Sequence, residues 1–142
     1  MKAKITSLCL FILTAISIVS CKKDDESVKA RIIGKWNVNK VEVTGYTGTE
    51  AATKNGTFGV TGDYMDFKAN NDDQVELRLT NPLTSQSTTN IGTYIGTQDG
   101  FNMVFAVDGS SYCTINTLTE TKLTFTAKID KTNVVKVYTL SR

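Results

Sequence analysis

From Trp36 to the C-terminus, apolar and polar residues alternate with a period of two, in short runs separated by polar turns. That is the pattern of half-buried β-strands. The first run spans residues 34–44. Trp36 and Val38 hold one apolar phase, Val41 and Val43 the other, and the one-residue slip predicts a bulge or bend near Asn39-Lys40. Met65, Phe67 and Ala69 mark a second strand. After the turn Asn70-Asn71-Asp72-Asp73, Val75, Leu77 and Leu79 mark a third, with Glu76 and Arg78 on its other face. Five more runs cover residues 89–97, 101–107, 111–117, 122–129 and 134–141. Asp99-Gly100 and Asp108-Gly109 separate alternating runs and are strong hairpin signals. Ahead of the strands, residues 27–33 predict a short helix capped by Asp25 or Ser27 and ended by Gly34.

The pattern predicts an all-β fold. Tight links make neighbours in sequence neighbours in space, which is an up-and-down meander. Eight such strands can close into an antiparallel barrel, removing exposed edges. Two connections are longer. Residues 44–62 contain five glycines and few apolar residues, and a structureless loop of that length could lie over an open barrel end. Residues 81–88 form the other. The inward phase holds Met65, Phe67, Leu77, Met103, Phe105, Ile115, Leu123 and Phe125. These residues either fill the interior or wall a ligand cavity. Tyr46, Phe58 and Tyr64 border the glycine-rich loop, where they could gate an apolar ligand, stack on a sugar, or pin the loop down.

The N-terminus carries a different pattern. Lys2 and Lys4 precede a mostly apolar stretch from Ile5 to Ile18, and Ile18-Val19-Ser20-Cys21 closes it. This is a secretory signal, too short and too weakly apolar for a transmembrane helix. A small residue before a cysteine resembles the lipobox of bacterial lipoproteins, which implies cleavage before Cys21 and lipidation of its sulfur. Two or three acyl chains, at roughly 0.8 kcal/mol per buried CH₂, make a stable anchor. The expected organisation is a signal peptide at 1–20, a lipidated tether at 21–27 and a barrel domain at 28–142. Lys22-Lys23-Asp24-Asp25-Glu26 reads either as a solvated leash or, by resemblance, as the surface-export signal of Bacteroidota lipoproteins. The expected location is the outer membrane, lipid-anchored, on its periplasmic face or at the cell surface.

Removing the signal changes the charge. Loss of Lys2 and Lys4 takes the sixteen basic residues to fourteen, equal to the fourteen acidic ones. A neutral domain gives no electrostatic case for nucleic acid, and membrane attachment falls to the lipid alone. Cys9 leaves with the signal and Cys21 is the lipid site, so Cys113 stands alone and no intrachain disulfide forms. Cys113 alternates with Ile115 and reads as a small buried hydrophobe. With no histidine in the chain, Ser-His and Cys-His nucleophile pairs and histidine metal sites are absent. Asp63, Asp66 and Glu50 are carboxylates whose spacing predicts no convergence, and Asn70 to Asp73 lack the EF-hand pattern. The expectation is no enzyme, no catalytic residue, no cofactor and no metal.

Gly34-Lys35-Trp36, opening the first strand behind a short helix, resembles the Gly-x-Trp signature of lipocalins. With Tyr64-Met65-Asp66-Phe67-Lys68-Ala69-Asn70, then Leu118 to Phe125, then Val137-Tyr138-Thr139-Leu140, the chain resembles the lipocalin-like lipoproteins of Bacteroidota. The resemblance implies that Trp36 plugs the closed barrel end, that Gly34 permits the helix-to-strand turn, and that a basic residue packs on the indole. Arg142 is the nearest candidate and Lys136 the second. A Thr-Asp-Tyr motif and the C-terminal helix and strand of true lipocalins are missing, so retinoid or haem ligands do not carry over. The function expected is a monomeric, non-enzymatic envelope lipoprotein binding a small hydrophobic molecule inside or at the mouth of the barrel. Tyr46, Phe58, Tyr64, Phe67, Leu77, Met103, Phe105 and Phe125 are its candidate contacts. The alternative is an accessory or inhibitor-type module, with a packed barrel, that meets an envelope protein or glycan through its loops.

Overall fold

The structure is a computed structural model that describes residues 27–142 apart from Asn71. The signal peptide, Cys21, the tether up to Glu26 and the alternative cap Asp25 lie outside the described residues. A short helix α1 (Val28–Ile32) leads into β1 (Gly34–Thr44). A 3-10 turn (Gly48–Glu50), helix α2 (Ala51–Lys54) and strand β2 (Gly56–Phe58) follow. Then come β3 (Tyr64–Phe67), β4 (Gln74–Thr80), β5 (Ser87–Gly96), β6 (Gly100–Phe105), β7 (Gly109–Leu118), β8 (Lys122–Ile129) and β9 (Val135–Ser141). Each of β3 to β8 pairs antiparallel with its successor, and β1 pairs with both β3 and β9. These eight strands close a barrel, and the three-residue β2, paired only with β1, is the one short strand left with an open edge among the described residues.

β1 shows how the sequence pattern makes the closure. Its register against β9 jumps between Val38 and Lys40, leaving Asn39 as a bulge. The extra residue lets the strand bend while both apolar phases, Trp36 with Val38 and Val41 with Val43, stay buried. A second bulge, which alternation alone did not predict, falls between Ile115 and Thr117 on β7 and leaves Ile115 only half-buried. Cys113 is buried, and burial pushes its thiol up to about 12, so it behaves as a small hydrophobe and not as a nucleophile.

α1 closes one end of the barrel. The Ser27 hydroxyl accepts a hydrogen bond from the Ala30 amide at 3.3 Å and caps the helix. Lys29 ties it to the β3–β4 turn through Asp73 at 2.8 Å. Fully buried Trp36 donates its indole N–H to the Ile32 carbonyl at 2.8 Å. The Arg142 guanidinium lies 4.0 Å above the Trp36 ring. It also donates to the backbone carbonyls of Ile33 at 2.9 Å and Glu120 at 2.7 Å. Gly34 adopts φ +111°, and a Cβ there would stand 3.3 Å from Arg142 Nη1. Glycine is therefore the residue that accommodates both the turn and the arginine. Above this plug a chain of aromatic contacts crosses the interior: Tyr94 to Phe67 at 5.2 Å, Phe67 to Phe101 at 5.5 Å, Phe101 to Phe125 at 4.9 Å and Phe125 to Tyr138 at 4.6 Å. Such pairs each add roughly 0.5–1.5 kcal/mol beyond their area, and they make this half of the barrel a packed core.

The long connection is not structureless. Asn55 folds back on Tyr46, donating its side-chain amide to the Tyr46 carbonyl at 2.9 Å and accepting the Tyr46 amide at 3.0 Å. Lys54 pairs with Glu50 one helical turn away. β2 then joins the edge of β1 at Val41–Val43, beyond the stretch that β3 occupies. The local pairings satisfy backbone groups that period-two counting cannot see, and they turn the segment into a folded flap.

A cavity at the open end of the barrel

The inward-facing positions change character along the barrel axis. On β5 they read Thr88, Asn90, Gly92 and Tyr94, polar at the start of the strand and aromatic towards its end. Buried Tyr94 belongs to the aromatic layer, whereas Thr88 and Asn90 line a cavity of about 430 Å³ at the end opposite Trp36. That volume lies within the roughly 300–1,000 Å³ typical of small-molecule sites. Gly92 marks the boundary: a Cβ there would meet the Val104 carbonyl oxygen at 2.3 Å and the Phe105 ring at 2.7 Å, so backbone and phenyl group together take the space of a side chain.

Val41 and Val43 from β1, Leu77 and Leu79 from β4, and Tyr46 and Phe58 from the flap supply the apolar wall. Thr80, Asn81, Thr84 and Gln86 from the β4–β5 hairpin form a polar lip. Three charged residues also line the cavity: Lys54, Asp108 and Lys136. Lys136 shares the inward phase of β9 with Tyr138 and Leu140. Asp108 stands on the turn between β6 and β7. The two meet across the mouth, Nζ to Oδ2 at 2.6 Å, with side chains only 15% and 20% exposed. The Tyr46 hydroxyl is pushed above its ordinary value, first by burial and then by Asp108, so the phenol stays neutral and able to donate.

Asp63 bridges the barrel just ahead of β3, bonded to the cavity-lining Thr80. Its main-chain oxygen accepts from Val38 at 3.0 Å. Its buried carboxylate accepts the amides of Val60 and Thr80 at 3.0 Å each and the Thr80 hydroxyl at 2.7 Å. The base of the flap, β1 and β4 are thereby joined through one residue. The other carboxylates do not converge on it. Asp66 projects from the opposite phase of β3, and Glu50 is engaged by Lys54.

Of the eight expected ligand contacts, the structure places Tyr46, Phe58 and Leu77 on the cavity wall. Phe67, Met103, Phe105 and Phe125 lie within the packed core. Tyr64 faces outward, where its hydroxyl donates to Glu76 and the Lys35 ammonium sits 3.7 Å above its ring. Lys136, the second candidate for the indole, stands at the opposite end of the barrel, and Arg142 occupies the indole face. Two signals in the sequence mark the cavity: a lysine inside the apolar phase Val134, Lys136, Tyr138, Leu140, and the polar inward residues Thr88 and Asn90. Both require knowing which phase faces in.

A family model described as a lipocalin-like domain matches residues 32–125, from the end of α1 into β8. None of the curated proteins matches the chain.

Proposed function

The chain belongs to the lipocalin-like domain family, and we propose that it is a non-enzymatic binding protein taking a small, mainly apolar ligand into the open end of its barrel. The observation that carries this reading is the cavity of about 430 Å³, backed by valine, leucine and aromatic side chains and rimmed by polar ones. The packed half holds the strands rigid while the open half leaves room, which is how a small barrel combines stability with a site. A neutral apolar fluorophore, N-phenyl-1-naphthylamine, is expected to bind saturably at one site per chain. Leu79→Trp, which fills the cavity from the half-buried rim, is expected to weaken that binding about tenfold or more with little change in melting temperature. Absence of saturable binding to the unaltered protein would sink the proposal.

The address is proposed from the N-terminal residues alone. Ile18-Val19-Ser20-Cys21 supports a lipid on Cys21 and a place in the cell envelope, as in outer-membrane lipoproteins of Bacteroidota. Metabolic labelling with an alkyne fatty acid is expected to mark the protein and to leave Cys21→Ser unmarked. Equal labelling of both would refute the anchor.

A further inference from the structure

We propose that the ligand is an anionic amphiphile, an apolar chain ending in a carboxylate, and that the Lys136 ammonium receives its head by displacing Asp108. The proposal rests on the reading that the open-end cavity binds an apolar ligand.

Among the described strands of the barrel, Lys136 is the only charged residue in the inward phase. Its neighbours in register are Val43 on β1 and Ala127 on β8, both buried, so its stem runs over apolar surface and delivers the charge to the cavity. An ammonium carries three donors. Among the described residues one is used, by Asp108 Oδ2 at 2.6 Å. Lys54, the other cation of the lining, is already held by Glu50, so Lys136 is the ammonium that a negative head can take over once Asp108 leaves it. The apolar wall of Val41, Val43, Leu77 and Leu79 accepts the chain.

Asp108 is the part able to move. It belongs to a three-residue turn whose neighbour Val107 is 79% exposed, whereas Lys136 is fixed within a strand paired on both sides. A ligand carboxylate takes the place of the Asp108 carboxylate on Nζ, one charge-assisted bond replacing another, and Asp108 turns out to water at the mouth. Removing Asp108 therefore strips the free protein of its internal competitor and leaves a half-buried cation that an anionic ligand relieves. Substitutions at the two partners are expected to act in opposite directions.

The test uses the full-length chain and competition against N-phenyl-1-naphthylamine by decanoate, decanol and decylamine, which share one chain length. Decanoate is expected to bind about tenfold or more tightly than decanol, as a hydrogen bond to a charged partner implies. Lys136→Met is expected to abolish that preference, Lys136→Arg to keep most of it, and Asp108→Asn to tighten decanoate several-fold relative to decanol. If decanoate and decanol bind alike to the unaltered protein, the anchor is overturned and the cavity reading stands. Preference for decylamine, lost in Asp108→Asn, overturns it in favour of Asp108. If Asp108→Asn weakens decanoate, the displacement is wrong. Failure of the fluorophore and all three amphiphiles to bind removes the cavity reading itself.

Discussion

Trp36→Ala is expected to lower stability by about 3–5 kcal/mol, the range for deleting a large buried aromatic. Trp36 is fully buried, and its loss leaves a void between α1 and the aromatic layer. It also leaves the Ile32 carbonyl without the indole donor at 2.8 Å and Arg142 without the ring 4.0 Å below it. A domain of this size has about 5–15 kcal/mol in all, so the variant retains little. The melting temperature is expected to fall by roughly 10–20 °C. Arg142→Ala should cost far less, since a cation–π contact at an exposed site contributes about 0.5–1 kcal/mol. Trp36→Phe should fall between, because it keeps most of the volume and loses the indole donor. A Trp36→Ala melt within a few degrees of the unaltered protein would show that the closed end does not hold the barrel.

Asp63→Ala is expected to be comparably damaging by a different route. The carboxylate gathers two backbone amides, Val60 and Thr80, and one hydroxyl within a buried site. Alanine leaves the two amides unpaired, and a buried donor without a partner costs about 1–3 kcal/mol. The Thr80 hydroxyl still has Ser87 as a partner, so the two stranded amides make the loss about 2–6 kcal/mol, seen as a drop of roughly 10–20 °C in melting temperature. Its local signature separates it from a general weakening. Hydrogen exchange should accelerate first at the Val60 and Thr80 amides, while the amides of β6 to β9 keep their order of protection. Since the flap base and β4 meet at Asp63, binding of the neutral fluorophore should weaken with it. Unchanged protection at Val60 and Thr80 would show that the wall is held by other bonds.

The two substitutions probe the two ends of one design. The Trp36 end is closed chiefly by apolar burial beneath the Arg142 guanidinium. The open end is framed by hydrogen bonds and ion pairs: Asn55 on Tyr46, Asp63 on Thr80, Lys54 on Glu50, Lys136 on Asp108. Polar closures of this kind are individually modest and can be exchanged for bonds to water or ligand, so the mouth can open without unfolding the barrel.

What the sequence determined by itself is everything that depends on near neighbours. Alternation places Trp36, Met65, Phe67, Leu77 and Phe125 inward, because side chains on a strand alternate in direction. The slip from Val38 to Val41 marks the bulge at Asn39, since only an extra residue keeps both phases buried. Tight turns dictate the meander and hence the barrel. Tertiary structure decided everything that depends on residues far apart in the chain. Whether Phe67, Met103 and Phe105 fill the interior or wall a cavity turns on which side chains meet across the barrel, and closure stacks the aromatics at one end. The flap takes its form from Asn55 reaching Tyr46 and from β2 meeting β1, contacts that leave no period in the sequence. Asp63 and Thr80 are seventeen residues apart and Asp108 and Lys136 twenty-eight. Their pairing follows only once strand order and register bring them together, and on that pairing the open end of the barrel depends.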